Sequence, residues 1–284
     1  MSEIDSVAVV GGGLMGSGIA ESVASAGMPV ILRDVDQPSL DRARDRLESS
    51  LARALARGKL EQGAASAIRD RITLTTEFDA ITPAGLVIEA VPEDAALKLE
   101  VIGQIGRLVG AQAIIASNTS SIPITELARA VSGPERVVGL HFFSPVPVMG
   151  LVEIVSALDT SDQTLQAARA FAGRLGKTPI ESKDRAGFIV NMLLVPYLMA
   201  AVRMVEEHFA TREDIDAGMK LGCGHPMGPL TLSDFIGLDV LHAIGVSLYE
   251  EFGREQYAPP PLLRRMVAAG RLGRKSGRGF YEYG

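Results

Sequence analysis

In Val7-Ala8-Val9-Val10-Gly11-Gly12-Gly13-Leu14-Met15-Gly16, four apolar residues run straight into glycines at the spacing G-x-G-x-x-G. The apolar run reads as a buried strand, and Ile19, Ala20, Val23 and Ala24 recur at helical spacing from Ser17 until Gly27. Val30-Ile31-Leu32 is a second strand ending at Arg33-Asp34, so an acid falls 23 residues after Gly11. The glycines alone are a weak signal. Strand, glycine turn, helix, strand and terminal acid in that order predict a dinucleotide-binding unit. Gly11 allows the tight turn, Gly13 lets a pyrophosphate approach the backbone, and Gly16 lets helix and strand pack closely. Leu14 and Met15 complete the loop, and the helix N-terminus faces the phosphates. Asp34 is placed to bond the adenosine ribose hydroxyls and repel a 2′-phosphate, which favours NAD; Arg33 beside it leaves NADP open.

Farther along, Ile72-Thr73-Leu74, Leu86-Val87-Ile88-Glu89-Ala90-Val91 and Ala113-Ile114-Ile115-Ala116 read as further strands between helical stretches. The pattern predicts an α/β protein. A Rossmann-type, mostly parallel sheet occupies residues 1–184, with a helical arm near 40–70, and an all-helical domain follows over 185–284. In open α/β sheets ligands lie beyond the carboxyl ends of the strands. Glu93 and Asn118-Thr119-Ser120-Ser121 are therefore where cofactor and substrate should meet, although Ser120 or Ser121 also suits a helix N-cap. The stretch 40–56 carries Arg42, Arg44, Arg46 and Arg53, with Arg57 and Lys59 just beyond. Asp41, Asp45, Glu48 and Glu61 partly offset them, the ordinary pattern of a solvated helical face.

Two β-branched runs, 137–143 and 151–155, flank Ser144-Pro145-Val146-Pro147-Val148-Met149-Gly150. Folded back as an antiparallel pair about Pro147, they set His141 and Glu153, each six residues from that midpoint, opposite one another. Glu153 has apolar neighbours on both sides, an expensive place for a carboxylate without a partner. A carboxylate beside an imidazole orients it and favours its protonated form, as a general acid/base near neutral pH requires. The competing reading is a satisfied core histidine and a glutamate reaching for solvent.

From Phe188 the pattern is helical almost throughout, over 188–207, 212–219, 231–236, 240–252 and 262–269. A basic, glycine-rich tail from Arg271 ends in Phe280, Tyr281 and Tyr283 and reads as a docking arm. Residues 188–205 are apolar enough to suggest a membrane span, but Asn191, Pro196 and Arg203 interrupt them and no second span follows. A buried helix at a core or subunit interface is the better reading, and a homodimer through the second domain follows from it. A net charge of -6 argues against nucleic acid as the main partner. Cys223 is the only cysteine, which excludes an internal disulfide and fits a reducing compartment. With no signal-peptide pattern in Met1-Ser2-Glu3-Ile4-Asp5, a cytoplasmic protein is expected. His208, His225 and His242 lack metal-ligand spacing, so no metal site is expected.

The chain resembles the short-chain 3-hydroxyacyl-CoA dehydrogenase family, and within it the bacterial 3-hydroxybutyryl-CoA dehydrogenases, over nearly its whole length. The likeness rests on the glycine loop, Glu89-Ala90-Val91-Pro92-Glu93, Ser117-Asn118-Thr119-Ser120-Ser121 and His141-Phe142-Phe143-Ser144-Pro145-Val146-Pro147. It continues through Gly187-Phe188-Ile189-Val190-Asn191, His225-Pro226-Met227-Gly228-Pro229 and Lys275-Ser276-Gly277-Arg278-Gly279-Phe280-Tyr281. The resemblance implies that His141 is the acid/base at a 3-hydroxyl, that Glu153 orients it, and that Ser120 and Asn191 hold the substrate oxygen. It implies cofactor contacts from Glu93, Lys98 and Asn118, and contacts to an acyl-CoA substrate from Ser50, Arg57 and Lys59. A place in fatty-acid or butanoate metabolism is implied with them. Ser144 stands where many members have Asn, and Met192 where Arg is frequent, which bears on substrate choice. A dehydrogenase of a free 3-hydroxy acid such as gulonate or carnitine would use the same fold without needing the basic arm. A non-catalytic NAD-binding protein would need none of His141, Glu153, Ser120 and Asn191.

Overall fold

A computed structural model describes residues 4–284, which divide into two units, the first ending at Arg185 and the second beginning at Ala186. The first unit opens with β1 (Val7–Val10), α1 (Leu14–Ser25), β2 (Val30–Arg33), α2 (Gln37–Ala56), α3 (Gln62–Asp70) and β3 (Ile72–Thr75). It continues with β4 (Leu86–Glu89), α4 (Ala95–Leu108), β5 (Ile114–Ser117), α5 (Ile124–Ala128), β6 (Val137–Phe142), β7 (Leu151–Ser156), α6 (Asp162–Arg174) and β8 (Thr178–Lys183). These strands form one eight-stranded sheet in the order β3-β2-β1-β4-β5-β6-β7-β8. Every neighbouring pair is parallel except β6 and β7. The short apolar runs β1, β4 and β5 are buried at every residue, as a sheet covered on both faces demands. Strand order turns between β1 and β4, the place where a ligand crevice opens in such sheets.

The elements begin and end for local reasons. Helix α1 starts at Leu14, ahead of the Ser17 start that apolar spacing suggests, because Gly13 acts as its N-cap and the Ser17 N–H bonds the Gly13 carbonyl (2.9 Å). Leu14, 66% exposed, carries no burial signal that would betray its place in the helix. The helical arm near 40–70 is two helices, α2 and α3, with the left-handed Gly58 in the link between them. Asp36 caps α2 by accepting the Ser39 N–H (2.8 Å), and Leu40, Ala43, Leu47 and Leu51 bury one face while the arginines stay outside. Strand β8 pairs with β7 over six residues at the edge of the sheet. As an edge strand it is only partly covered, so Thr178-Pro179-Ile180-Glu181-Ser182-Lys183 lacks the apolar signature of its neighbours.

The second unit holds α7 (Val190–Glu206), α8 (Arg212–Cys223), α9 (Pro229–Ile236), α10 (Leu238–Phe252) and α11 (Pro261–Ala268). Helix α7 begins two residues later than the apolar run, since Gly187 and Phe188 both take positive φ (77° and 46°). Its core gathers Leu198, Met199, Val202, Leu230, Leu241, Leu248 and Leu263. Two buried carboxylates dock the C-terminal tail. Asp234 accepts from the Phe280 and Tyr281 N–H groups (2.9 Å each) and from the Tyr283 hydroxyl (3.0 Å). Asp216 accepts from Leu230 and Thr231 N–H groups and from the Tyr281 hydroxyl. Burial and the Asp234 carboxylate push the Tyr283 phenol up to about 12. No single helix among the described residues is long and apolar enough to cross a membrane.

Candidate active site

The glycine loop is shaped by close approach. A Cβ on Gly11, whose φ is +106°, would lie 2.6 Å from the Ala90 carbonyl oxygen, and one on Gly16 would lie 1.7 Å from the Gly11 carbonyl oxygen. Neither position tolerates a side chain. Gly13 is different: a Cβ there would meet nothing within 4 Å, so its backbone faces open space at the start of α1. A helix N-terminus beside open backbone, with Leu14 and Met15 in its first turn, suits the pyrophosphate of a dinucleotide. Asp34 braces the loop, its Oδ2 accepting the Gly12 N–H (2.7 Å) and its Oδ1 the Val35 N–H (2.6 Å). Arg33 bonds the Thr76 carbonyl (3.3 Å) and stacks 4.6 Å from the Phe78 ring centroid.

Beyond β4 and β5, the polar loop residues converge on one carboxylate. Glu93 Oε1 accepts from Thr119 Oγ1 (2.7 Å), Ser120 N (2.8 Å) and Oγ (3.3 Å), and Ser121 N (3.1 Å) and Oγ (2.9 Å). Burial pushes this carboxyl up, but the Lys98 ammonium and those donors outweigh it, and its pKa lies below the ordinary value. Lys98 is itself only 1% exposed, paired with Glu89 Oε1 (2.7 Å) and Glu93 Oε2 (3.3 Å). Asn118 Oδ1 accepts the Phe142 N–H (2.9 Å), which pins the loop after β5 to the end of β6, next to His141.

His141 and Glu153 stand opposite each other in the antiparallel β6–β7 register, and His141 Nδ1 lies 2.7 Å from Glu153 Oε2. Glu153 is fully buried, and its strand is bonded on its other side to β8, where it faces Ile180. The strand carrying Glu153 is therefore held on both sides, and its carboxylate orients the imidazole. The Phe143 ring packs 4.6 Å from that of His141. Asn191, buried on the first turn of α7, belongs to the second unit.

Against α1, a cavity of about 360 Å³ is lined by Leu14, Ser17, Gly18, Glu21, Asp45, Arg46, Ser49, Ser50, Arg53 and residues 144–147. Of the three residues expected at a CoA site, Ser50 lines it, while Arg57 and Lys59 are not among its walls. Arg46 and Arg53 supply the cationic groups instead, and Arg46 Nη1 also reaches the Gly12 carbonyl (3.4 Å). Their positions on α2 follow from the buried Leu40–Leu47–Leu51 stripe, which settles which arginines turn toward α1. Glu21, on α1, is 5% exposed and accepts from Ser50 Oγ (2.9 Å). Burial raises its pKa against the lesser opposing pull of Ser50 and Arg53. The folded chain thus holds the Glu21 proton more tightly than the unfolded one. That contribution is complete below the ordinary carboxyl pKa of 4.5 and is lost as pH rises through the raised value. Glu21→Gln keeps an acceptor for Ser50 and removes this decline, so the variant melts at a higher temperature than the parent near neutral pH. A Tm series from acid to neutral pH checks it; parallel curves for the two proteins would refute it. Among the described residues no group of three or more His, Cys, Asp and Glu is arranged to hold a metal ion.

A parallel sheet with a dinucleotide crevice, and an imidazole–carboxylate pair on its antiparallel flank, defines a nicotinamide-dependent dehydrogenase. Residues 6–185 match the 3-hydroxyacyl-CoA dehydrogenase NAD-binding domain, and residues 187–283 match the C-terminal domain of the same family. The chain belongs to the 3-hydroxyacyl-CoA dehydrogenase family. It is 49% identical over 282 residues to 3-hydroxybutyryl-CoA dehydrogenase of Mycobacterium tuberculosis, covering 99% of both chains. Among solved structures, FadB2 of M. tuberculosis matches with a TM-score of 0.99 at 48% identity over all of both chains. The (S)-3-hydroxybutyryl-CoA dehydrogenase PaaH1 of Ralstonia eutropha matches with a TM-score of 0.94 at 45% identity, covering 99% of this chain and 100% of that one.

Proposed function

We propose that this enzyme interconverts (S)-3-hydroxybutyryl-CoA and acetoacetyl-CoA, using NAD in preference to NADP. The observation that carries the reading is the 2.7 Å contact between His141 Nδ1 and a fully buried Glu153. His141 takes the substrate's hydroxyl proton during oxidation and returns it to the oxygen during reduction, while Glu153 holds the ring's tautomer and direction. Bound NAD supplies the hydride acceptor, its reduced form the donor, for the substrate carbon. Ser120 holds the substrate oxygen. Gly11, Gly13, Leu14, Met15 and Gly16 take the pyrophosphate, and Glu93, backed by Lys98 and Asn118, takes the nicotinamide ribose. Asp34 supports a ribose with free hydroxyls, and NAD is favoured further because Arg33 is already engaged by Thr76 and Phe78.

The cavity beside Ser50 suits the phosphate-bearing end of CoA, with Arg46 and Arg53 as its cationic contacts and Arg57 and Lys59, at and just past the C-terminal end of α2, as further cations. Residues 1–184 form the cofactor domain with its helical arm, and 185–284 the substrate and dimerisation domain. Exposed Leu193 (71%), Phe209 (75%) and Leu221 (86%) support a covering second copy on that domain. An acidic chain whose one cysteine is free suits the cytoplasm.

Steady-state rates followed by nicotinamide absorbance test the reading, with acetoacetyl-CoA, longer 3-ketoacyl-CoAs and free 3-keto acids run against NADH and NADPH. Acetoacetyl-CoA with NADH is the fastest pair; a faster free acid would overturn the substrate assignment. In the same assay Glu153→Gln shifts or flattens the pH–rate profile, and a profile superimposable on the parent's would break the pairing of roles.

A further inference from the structure

The loop that carries Ser120 is tied back to the sheet by a closed ring of charged and hydroxyl groups. Glu89, the last residue of β4, is wholly buried. Its Oε1 accepts from Lys98 Nζ (2.7 Å) and the Val91 N–H (2.7 Å), and its Oε2 from Ser117 Oγ (2.6 Å) at the end of β5. Lys98 reaches from α4 to both Glu89 and Glu93, and also bonds the Val91 carbonyl (3.1 Å). Glu93 in turn gathers the donors of Thr119, Ser120 and Ser121, a short step along the chain from Ser117. One ammonium thus serves two carboxylates, the nearer wholly dry and the farther 37% exposed at the ligand side.

We propose that Glu89 is a positioning residue for the dehydrogenase reaction: by holding Lys98 at the shorter distance, it sets how strongly Lys98 pulls on Glu93, and so where Glu93 places Ser120. The inference rests on the reading of Glu93 and Ser120 as cofactor- and substrate-facing groups. Charge decides the sense of the effect. Glu89→Gln keeps the shape of the side chain but gives up the charge that competes for Lys98. The ammonium then belongs to Glu93 alone and draws it from Ser120 and Ser121. A purely structural Glu89 would instead cost stability and leave the chemistry of the surviving folded protein untouched.

The test is a double-mutant cycle on the full-length enzyme, with kcat and the dissociation constant for NADH measured by its fluorescence. Glu89→Gln lowers kcat about 10- to 100-fold and weakens NADH, the scale of coupling within one hydrogen-bond network. Added to Glu93→Gln, the same change alters either quantity less than about threefold, because the path through Glu93 is already cut. Glu89→Asp, which keeps the charge but draws it back from Lys98, gives the same pattern at smaller amplitude and serves if Glu89→Gln does not accumulate as folded protein. Multiplicative effects in the double variant, or a lowered Tm with unchanged kcat and NADH affinity, would overturn the proposal. NADH binding is read with no acyl-CoA present, so an unreactive acyl-CoA counts against the substrate assignment and not against this one.

Discussion

Replacing His141 with glutamine lowers turnover by roughly 10²- to 10⁴-fold and leaves fold and dinucleotide binding in place. Glutamine fills much the same space and can still donate to Glu153, so the buried carboxylate keeps a partner and the β6–β7 register is not disturbed. What the amide cannot do is bind and release a proton near neutral pH. The proton of the reacting hydroxyl then has to go to water, in a site whose wall at this point is the Phe143 ring and two buried strands. The adenosine and pyrophosphate contacts are untouched because the glycine loop and Asp34 lie across the sheet, after β1 and β2, with β4 and β5 between, and the Phe142 N–H that Asn118 accepts belongs to the backbone, which the substitution leaves in place. The measurement is kcat beside an NADH titration of the same preparation. Near-normal turnover in a variant that binds NADH would remove His141 from the mechanism.

The legible parts of this chain are those where the residues themselves bear the constraint. The six-residue spacing of His141 and Glu153 about Pro147 foretold their register, because an antiparallel turn of fixed midpoint leaves no freedom in which residues face each other. The glycines were legible for a like reason: at Gly11 and Gly16 a side chain would collide with backbone. Other features depend on distant partners and left little trace. The arginines of α2 look alike in the sequence, and only the packing of Leu47 and Leu51 selects Arg46 and Arg53 to face the cavity. Glu89 read as the tail of an apolar strand, since nothing local says that Lys98, nine residues on, and Ser117, at the end of the next strand, will enclose it. Edge strand β8 was faint because half of it needs no burial.

Alanine at Gly13 and alanine at Gly16, two changes of one methyl group three residues apart, fail in different ways. At Gly16 the methyl would sit 1.7 Å from the Gly11 carbonyl oxygen and 3.3 Å from Val9 Cγ1. Both neighbours are fixed, one as the backbone of the tight turn and the other as the buried end of β1, so the start of α1 must move off the sheet. Overpacking of this kind costs on the order of 3 kcal/mol, a fall in Tm of roughly 10 °C, and the displaced helix N-terminus loses the dinucleotide as well. At Gly13 the backbone (φ −65°, ψ −168°) is open to any L residue and the added Cβ meets nothing within 4 Å. The ligand-free variant therefore melts within a few degrees of the parent. Its methyl instead occupies the space a pyrophosphate needs beside the backbone, and NADH binds about 10- to 100-fold more weakly. Thermal melts without ligand and NADH titrations on both variants check the pair. Gly13→Ala binding NADH as the parent does would mean that the phosphates lie elsewhere, and with them the crevice assigned to the cofactor.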